Sequence, residues 1–163
     1  MLKAFLKTLI PLFLLIALGL YLDSVFFLEQ LSYGQELATV ALWSIFFVLY
    51  FYLPSRYKEQ MIYAVLIGIG GEYLFSLGLK MYTYRLQNIP HYIPPGHAII
   101  YIATVYFNKN KEIKLHKSII EKIFLCTIIC FSTYFLIAKN DVFGFLLTVL
   151  IIYFLRNKPG ERL

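Results

Sequence analysis

Long apolar runs alternate with short polar gaps along this chain, and most runs are too long to be buried strands. Six runs cover about 4–22, 37–54, 60–82, 94–108, 119–138 and 141–156. A helix that crosses the hydrocarbon core of a bilayer needs ~20 mostly apolar residues. The pattern therefore predicts an all-α polytopic membrane helical bundle with about six transmembrane helices, forming a single transmembrane domain over residues 1–163.

Prolines and glycines mark several features of these runs. Pro54 ends the second run, and Pro94 and Pro95 open the fourth, where the missing N–H of proline costs nothing. We expect the segment between Pro90 and Pro94 to be stiff and extended. Small residues in the middle of the third run should let a neighbouring helix approach closely. They are Gly68, Gly70 and Gly71.

Composition agrees with a membrane protein. Of the 163 residues, 60% are hydrophobic and 15% are charged, whereas soluble domains are about half apolar and a quarter charged. The net charge of +6 does not indicate nucleic-acid binding, because the basic residues occupy gaps between apolar runs instead of a polar face with interleaved aromatics. Contact with anionic lipid and control of orientation explain the charge better.

The distribution of basic residues predicts the orientation. With six spans and both termini in the cytoplasm, twelve of the fifteen basic residues fall on the cytoplasmic side. The outer segments then hold only Lys80, Arg85 and Lys139. The fourth run is short and alone fits a tilted or re-entrant helix, but a five-span chain would place Lys109 to Lys122 outside. We therefore predict six spans, in a bacterial-type inner (cytoplasmic) membrane.

Glu72 is the first candidate for chemistry. It lies about twelve residues into the third run, near or just past the predicted bilayer centre. A charged side chain there costs ~2.5–3.5 kcal/mol, so we expect Glu72 to face the bundle interior beside a partner. A proton donor or base, or a structural carboxyl bonded to a tyrosine, both fit this position.

Histidine and arginine residues follow within the same polar stretch. His97 lies one turn into the fourth run, and histidine transfers protons near neutral pH or binds metals. His91 precedes it by six residues, a spacing that matches no local metal motif, and we predict no metal site and no cofactor. Arg85 could neutralise Glu72, bind a phosphate headgroup or anchor the chain at the interface.

The candidate residues divide into two predicted roles. The candidate catalytic residues are Glu72, His97, Arg85 and Tyr84. The candidate substrate-positioning residues are Asn88, His91, Tyr82 and Tyr101.

One short segment also carries a resemblance to a known family. Glu72, Tyr82-Thr83-Tyr84 and the segment from Ile89-Pro90 to Pro94 follow one another over about a sixth of the chain. This order resembles the membrane carotenoid hydratases, lyases that add water across a terminal carbon–carbon double bond. The family usually has an aromatic residue where this chain has His97. The resemblance implies a multi-span bundle whose acid-rich pocket faces a long isoprenoid chain.

Two hypotheses stay open from the sequence. In the first, the protein is an intramembrane enzyme that acts on a membrane lipid or isoprenoid by acid/base chemistry at Glu72 and His97. In the second, it is a non-enzymatic assembly or transport component, and the same polar residues hold helices together, as buried polar groups often do in membranes. The bilayer is the predicted environment in both, nucleic acid is excluded as a partner, and the oligomeric state stays open.

Overall fold

The structure is a computed structural model that describes residues 2–28, 33–84 and 86–157, with side chains from residue 10 onward apart from that of residue 28. Within these ranges all regular structure is helical. The helices are α1 (Leu2–Leu22), α2 (Val25–Leu28), α3 (Gly34–Tyr52), α4 (Ser55–Glu72), a π-helix (Tyr73–Gly78), α5 (Ile93–Lys109), α6 (Lys111–Leu115), α7 (Lys117–Lys139) and α8 (Val142–Asn157).

The apolar runs are confirmed as helices. Two further short helices, α2 and α6, lie in gaps between the runs. Among the described residues, three helices are long and apolar enough to cross a membrane. They are Gly34–Tyr52, Ser55–Gly78 and Lys117–Lys139, and the shorter apolar helices are Ile10–Leu22 and Val142–Asn157. These helices indicate a membrane-embedded protein. Six spans, cytoplasmic termini and a single domain stay predictions.

Contacts divide the chain into two compact units, Met1–Ile113 and Lys114–Leu163. The core of the first unit lies where α3, α4 and α5 meet. It is formed by Phe46, Met61, Val65, Ala98 and Ile102. Because α4 and α5 share this core, the packing of its side chains holds the two helices in a fixed position relative to each other.

The second unit consists mainly of α7 and α8, which pack against each other. Asn140 takes a left-handed conformation at the end of α7, with φ of 53°. Asp141 then accepts a hydrogen bond at Oδ1 from the backbone N–H of Gly144, at 2.8 Å. A carboxylate at this position satisfies an otherwise unpaired donor at the start of α8, so the sharp turn between the two helices has a local chemical cause.

The third predicted helix ends earlier than its apolar run. It begins at Ser55, becomes a π-helix after Glu72 and ends at Gly78, not at residue 82. Glu72 is consequently the last residue of the 18-residue α4 and the 18th of the 24 residues of the apolar span Ser55–Gly78. Its depth in a bilayer stays a prediction. Single-turn π-helical segments are rare and often accompany functional sites.

The segment between Pro90 and Pro94 is a turn, so the prediction of an extended segment is wrong. The backbone N–H of Ile93 donates to the carbonyl of Pro90 at 3.1 Å, and α5 begins at Ile93. The indole N–H of Trp43 fixes this turn from α3 by donating to the carbonyl of His91, at 3.1 Å. Prolines near the helix start are confirmed as its entry, since they lack an N–H that would have no partner there.

Candidate functional site

The carboxyl group of Glu72 is buried at the end of α4 and binds two tyrosines of the following loop. The hydroxyls of Tyr82 and Tyr84 both donate to Oε2 of Glu72, each at 2.7 Å. Only 7% of Glu72 is exposed. A carboxylate in an apolar bundle is tolerated when hydrogen bonds replace water, and the two hydroxyls supply such bonds. The expectation that Glu72 faces the interior beside a partner is confirmed.

His97 occupies the other side of the same carboxyl. Its Nε2 lies 3.5 Å from Oε1 of Glu72, within ion-pair distance. The side chain of His97 is 46% exposed, whereas that of Glu72 is 9% exposed. Among the described residues, Nδ1 of His97 has no hydrogen-bond partner. In general acid/base catalysis, a carboxylate often orients a histidine by contacting one imidazole nitrogen. The second nitrogen is then available to exchange a proton with a substrate.

Gly68 makes the close approach of His97 possible. A Cβ at position 68 would lie 2.6 Å from Cδ2 of His97, a separation that side chains do not tolerate. A Cβ on Gly70 would meet no atom within 4 Å, and one on Gly71 would touch only Phe75, one turn along the same chain segment, at 4.0 Å. The predicted close helix approach is therefore confirmed at Gly68 alone of the three glycines.

The loop tyrosines keep their protons. Burial, and after it the hydrogen bond and negative charge of Glu72, raise the pKa of Tyr84 far above its ordinary value. The same causes, in the same order, raise the pKa of Tyr82. Both hydroxyls consequently act as donors to Glu72 at any physiological pH. The two rings also pack edge to face with centroids 5.6 Å apart, which stiffens this part of the loop.

A cavity of about 630 Å³ lies beside this cluster, within the range of ligand sites in proteins. Its wall is one face of α4, formed by Gln60, Tyr63, Ala64, Ile67, Gly68 and Gly71. Glu72 and His97 line the cavity, and so do Tyr82 and Tyr101. Tyr63 and Ile67 are mostly exposed, so the cavity opens on an apolar surface of the first unit.

Gln60 is a feature of the cavity that the sequence analysis missed. Its Oε1 is buried and has no hydrogen-bond partner among the described residues. Such groups are few in native proteins, because an unpaired buried carbonyl costs about 1–3 kcal/mol. Positions 60, 64, 68 and 72 recur every four residues, and this helical spacing was the available signal that Gln60 shares a face with Glu72.

The predicted site residues separate into two groups. The structure brings together Glu72, His97, Tyr82 and Tyr84, with Tyr101 on the cavity wall. His91 does not line this cavity, although its carbonyl binds Trp43. Arg85 lies outside the described residues.

Asn88 belongs to a second polar cluster, which joins α3 and the loop before α5 to the loop after α1. The side-chain amide of Asn88 donates to Oε1 of Gln35 at 3.2 Å, and that of Gln35 donates to Oδ1 of Asp23, also at 3.2 Å. Tyr92 donates to Oδ2 of Asp23 at 2.8 Å. We call these four residues the Asp23 network. Its members are far apart in the chain, so their proximity is not visible in the sequence.

The described residues contain no group of three histidine, cysteine, aspartate or glutamate side chains that could hold a metal ion. Comparisons of the chain with protein-family models, with curated proteins and with solved structures find no match. Function must therefore be argued from the geometry of the Glu72–His97 pair and the cavity beside it.

Proposed function

We propose that this protein is an intramembrane enzyme that transfers a proton to or from a membrane lipid or isoprenoid bound in the cavity. The observation that carries the proposal is the pairing of buried Glu72 with half-exposed His97, 3.5 Å apart, on the wall of an apolar cavity. A positioned acid/base group of this kind contributes about 10²–10⁴-fold to a reaction rate.

The geometry favours different roles from those that the sequence alone indicates. Oε2 of Glu72 already accepts two tyrosine hydroxyls, and Oε1 faces His97. The carboxylate has little capacity left for a substrate, whereas His97 is exposed to the cavity. We therefore assign the proton transfer to His97 and assign to Glu72 the orientation of the imidazole and the stabilisation of its protonated form.

Tyr82 and Tyr84 act as positioning residues in this proposal. By holding Oε2, they fix the direction in which Oε1 faces His97, and their raised pKa values ensure that they remain donors. Tyr101 lies one helical turn after His97 and also lines the cavity, where its ring can contact an apolar chain.

Hydration of a carbon–carbon double bond is the reaction to test first, because of the resemblance to carotenoid hydratases. The π bond breaks as one carbon takes a proton from His97 and the other carbon bonds to the oxygen of a water molecule. The surplus proton of that water returns to the Glu72–His97 pair, so the product differs from the substrate by one added water. Isomerisation would use the same pair without adding water.

The test compares mass spectra of lipid and pigment extracts from a strain that lacks the gene and from the same strain carrying wild type or His97→Gln. We expect one lipid or isoprenoid to change between deletion and wild type, and His97→Gln to resemble the deletion at equal membrane levels. An added water in the product would identify hydration. Identical extracts from all strains under conditions of expression would remove the enzyme proposal.

The alternative is a non-enzymatic assembly or transport component, and one observation favours it. Glu72 joins α4, the loop tyrosines and α5, so the same contacts can serve stability alone. In that case Glu72→Gln should mainly lower the thermal stability of the purified protein in detergent and leave every lipid in the cell unchanged.

A further inference from the structure

The start of α4 and the end of α5 lie side by side in the first unit. At this end of the helix pair the rings of Tyr57 and Tyr106 are in contact, with centroids 5.9 Å apart, whereas at the other end Glu72 meets His97. The two helices are therefore antiparallel. The last turn of α3 is also nearby, since only two residues connect α3 to α4. Side chains from three helices thus meet at one end of the unit.

Basic side chains are concentrated at this end. They are Arg56 and Lys58 near the start of α4, Lys109 at the end of α5 and Lys111 at the start of α6, and we call these four residues the basic end. None of the four has an ion-pair partner among the described residues. Two carboxylates close by in sequence, those of Glu59 and Glu112, offset half of the four positive charges. The basic end therefore keeps a net positive charge.

Tyrosine rings position two of these lysines. Nζ of Lys109 lies 4.2 Å from the ring centroid of Tyr57 and 5.6 Å from that of Tyr106. Nζ of Lys58 lies 5.5 Å from the ring centroid of Tyr50, a residue of α3. A ring face attracts an ammonium group but carries no net charge, so the ammonium group stays available to an anion. Lys109 is also exposed, so its side chain is held in place and is still accessible to a ligand.

The surroundings of the basic end are typical of a membrane–water interface. Phe51 and Tyr52, at the end of α3, are mostly exposed. Aromatic residues beside lysines at the ends of apolar helices are found at the level of the lipid headgroups, and the predicted orientation places this end in the cytoplasmic leaflet, which anionic lipids make negative. A zwitterionic lipid brings a cation of its own to such a site, whereas an anionic lipid brings none. Charge complementarity therefore favours the anionic lipid.

We propose that the basic end is a binding site for the phosphate of an anionic phospholipid, with Lys109, held by Tyr57 and Tyr106, as its central contact. The inference goes beyond the proposed function and does not depend on it, because none of these residues lines the cavity beside His97. A bound lipid connects the start of α4 to the end of α5. It thereby stabilises the pairing of the two helices that carry Glu72 and His97.

The test compares two lipids that differ only in the headgroup. Full-length protein in a neutral detergent is titrated with phosphatidylglycerol or with phosphatidylcholine of the same acyl chains, and native mass spectrometry measures the fraction of protein with bound lipid. One basic residue beside a membrane surface contributes about fivefold to the affinity for an anionic lipid. We expect wild type to prefer phosphatidylglycerol by about tenfold or more, and Lys109→Gln to reduce this preference by about fivefold.

Three further variants locate the site. Lys80→Gln is the matched control, because Lys80 is an exposed lysine beyond the other end of the span Ser55–Gly78, and this variant should keep the preference. Tyr57→Leu retains Lys109 but removes a ring that holds it, and should reduce the preference by about two- to fivefold. Tyr57→Phe retains the ring face and should bind as wild type does.

Two results would overturn the inference. Equal binding of the two lipids by wild type would show that the basic end does not select an anionic lipid. A preference that Lys109→Gln loses no more than Lys80→Gln does would show an effect of the net charge of the protein, with no site at Lys109. Melting temperatures in detergent alone check that every variant is folded. The proposed function fails separately, through lipid extracts that do not change.

Discussion

The first unit contains two polar clusters that differ in what they leave available. In the Asp23 network, the side-chain amide of Gln35 hydrogen-bonds to both Asn88 and Asp23. These residues connect α3 to two loops and do not line the cavity. In the Glu72 cluster, the carboxyl also has partners at both oxygens, but it lies beside a half-exposed histidine whose Nδ1 has no hydrogen-bond partner within the part of the chain that the structure describes and which lines the cavity. A buried polar cluster in a membrane protein can therefore be structural or functional. A polar atom that lies beside a cavity and is available to hydrogen-bond a ligand distinguishes a candidate site from a structural contact.

The largest expected effect is a loss of activity on substitution in the Glu72 cluster. His97→Gln removes the acid/base group and should lower the rate of the lipid conversion by about 10²–10⁴-fold. The protein should remain folded, because the glutamine is of similar size and its amide N–H group is able to donate to Glu72. Turnover in isolated membranes measures the rate, and protein level and melting temperature serve as controls. Full activity in His97→Gln would exclude the role assigned to this residue.

Gly68→Ala should have the next largest effect. The added methyl group would come within 2.6 Å of Cδ2 of His97, so the imidazole must move away from its present position. A displacement of about 1 Å in a catalytic group can cost about 10²-fold in rate. Gly70→Ala is the matched control, since its methyl group meets no atom within 4 Å and alanine favours a helix. If both variants had equal activity, the close contact would not matter for function.

Gln35→Leu tests the Asp23 network and should affect stability instead of rate. It removes both amide hydrogen bonds of Gln35 and leaves Asn88 and Asp23 each without one partner. We expect the free energy of unfolding to fall by about 1–3 kcal/mol, or the melting temperature by about 2–12 °C. Activity per folded molecule should not change. A loss of activity at full stability would bring this network into the functional site.

The smallest expected effect concerns alkaline pH. In the unfolded chain a tyrosine ionises near pH 10, whereas the pKa values of Tyr82 and Tyr84 are raised in the folded protein. Above about pH 10 the unfolded chain therefore binds fewer protons than the folded one, and the free energy of unfolding falls as pH rises. Melting curves of wild type and of the Tyr82→Phe/Tyr84→Phe variant should show a weaker alkaline loss in the variant. Parallel pH profiles would contradict the assigned hydrogen bonds.

The helices were predictable because a membrane-type helix needs a long apolar run, and the runs are visible in the sequence. The early end of the third helix was not, since Leu79 and Met81 continue its apolar pattern although the chain turns at Lys80, which has φ of 52°. Turns of this kind depend on tertiary contacts, here the hydrogen bonds of the loop tyrosines to Glu72, which local composition does not reveal.

Part of the candidate site was also predictable from the apolar runs. Glu72 and His97 stood out as polar residues within apolar runs, where a polar group requires a partner. Gln60 did not stand out, because it lies near the start of its helix, where polar residues are ordinary. The difference between Asn88, which joins the Asp23 network, and Tyr84, which binds Glu72, depends on the path of the loop. Sequence spacing within a loop does not determine such a path.

The most direct test of the central claim, proton transfer from His97 to a bound lipid, uses heavy water. Membranes containing wild type, His97→Gln or Gln35→Leu are incubated in heavy water with the cell's extracted lipids, and the products are analysed by mass spectrometry. We predict that one isoprenoid gains deuterium on carbon with wild type and with Gln35→Leu, but not with His97→Gln. The same deuterium pattern in all three samples, at equal protein levels, would contradict the claim and leave the Glu72 cluster as a structural contact.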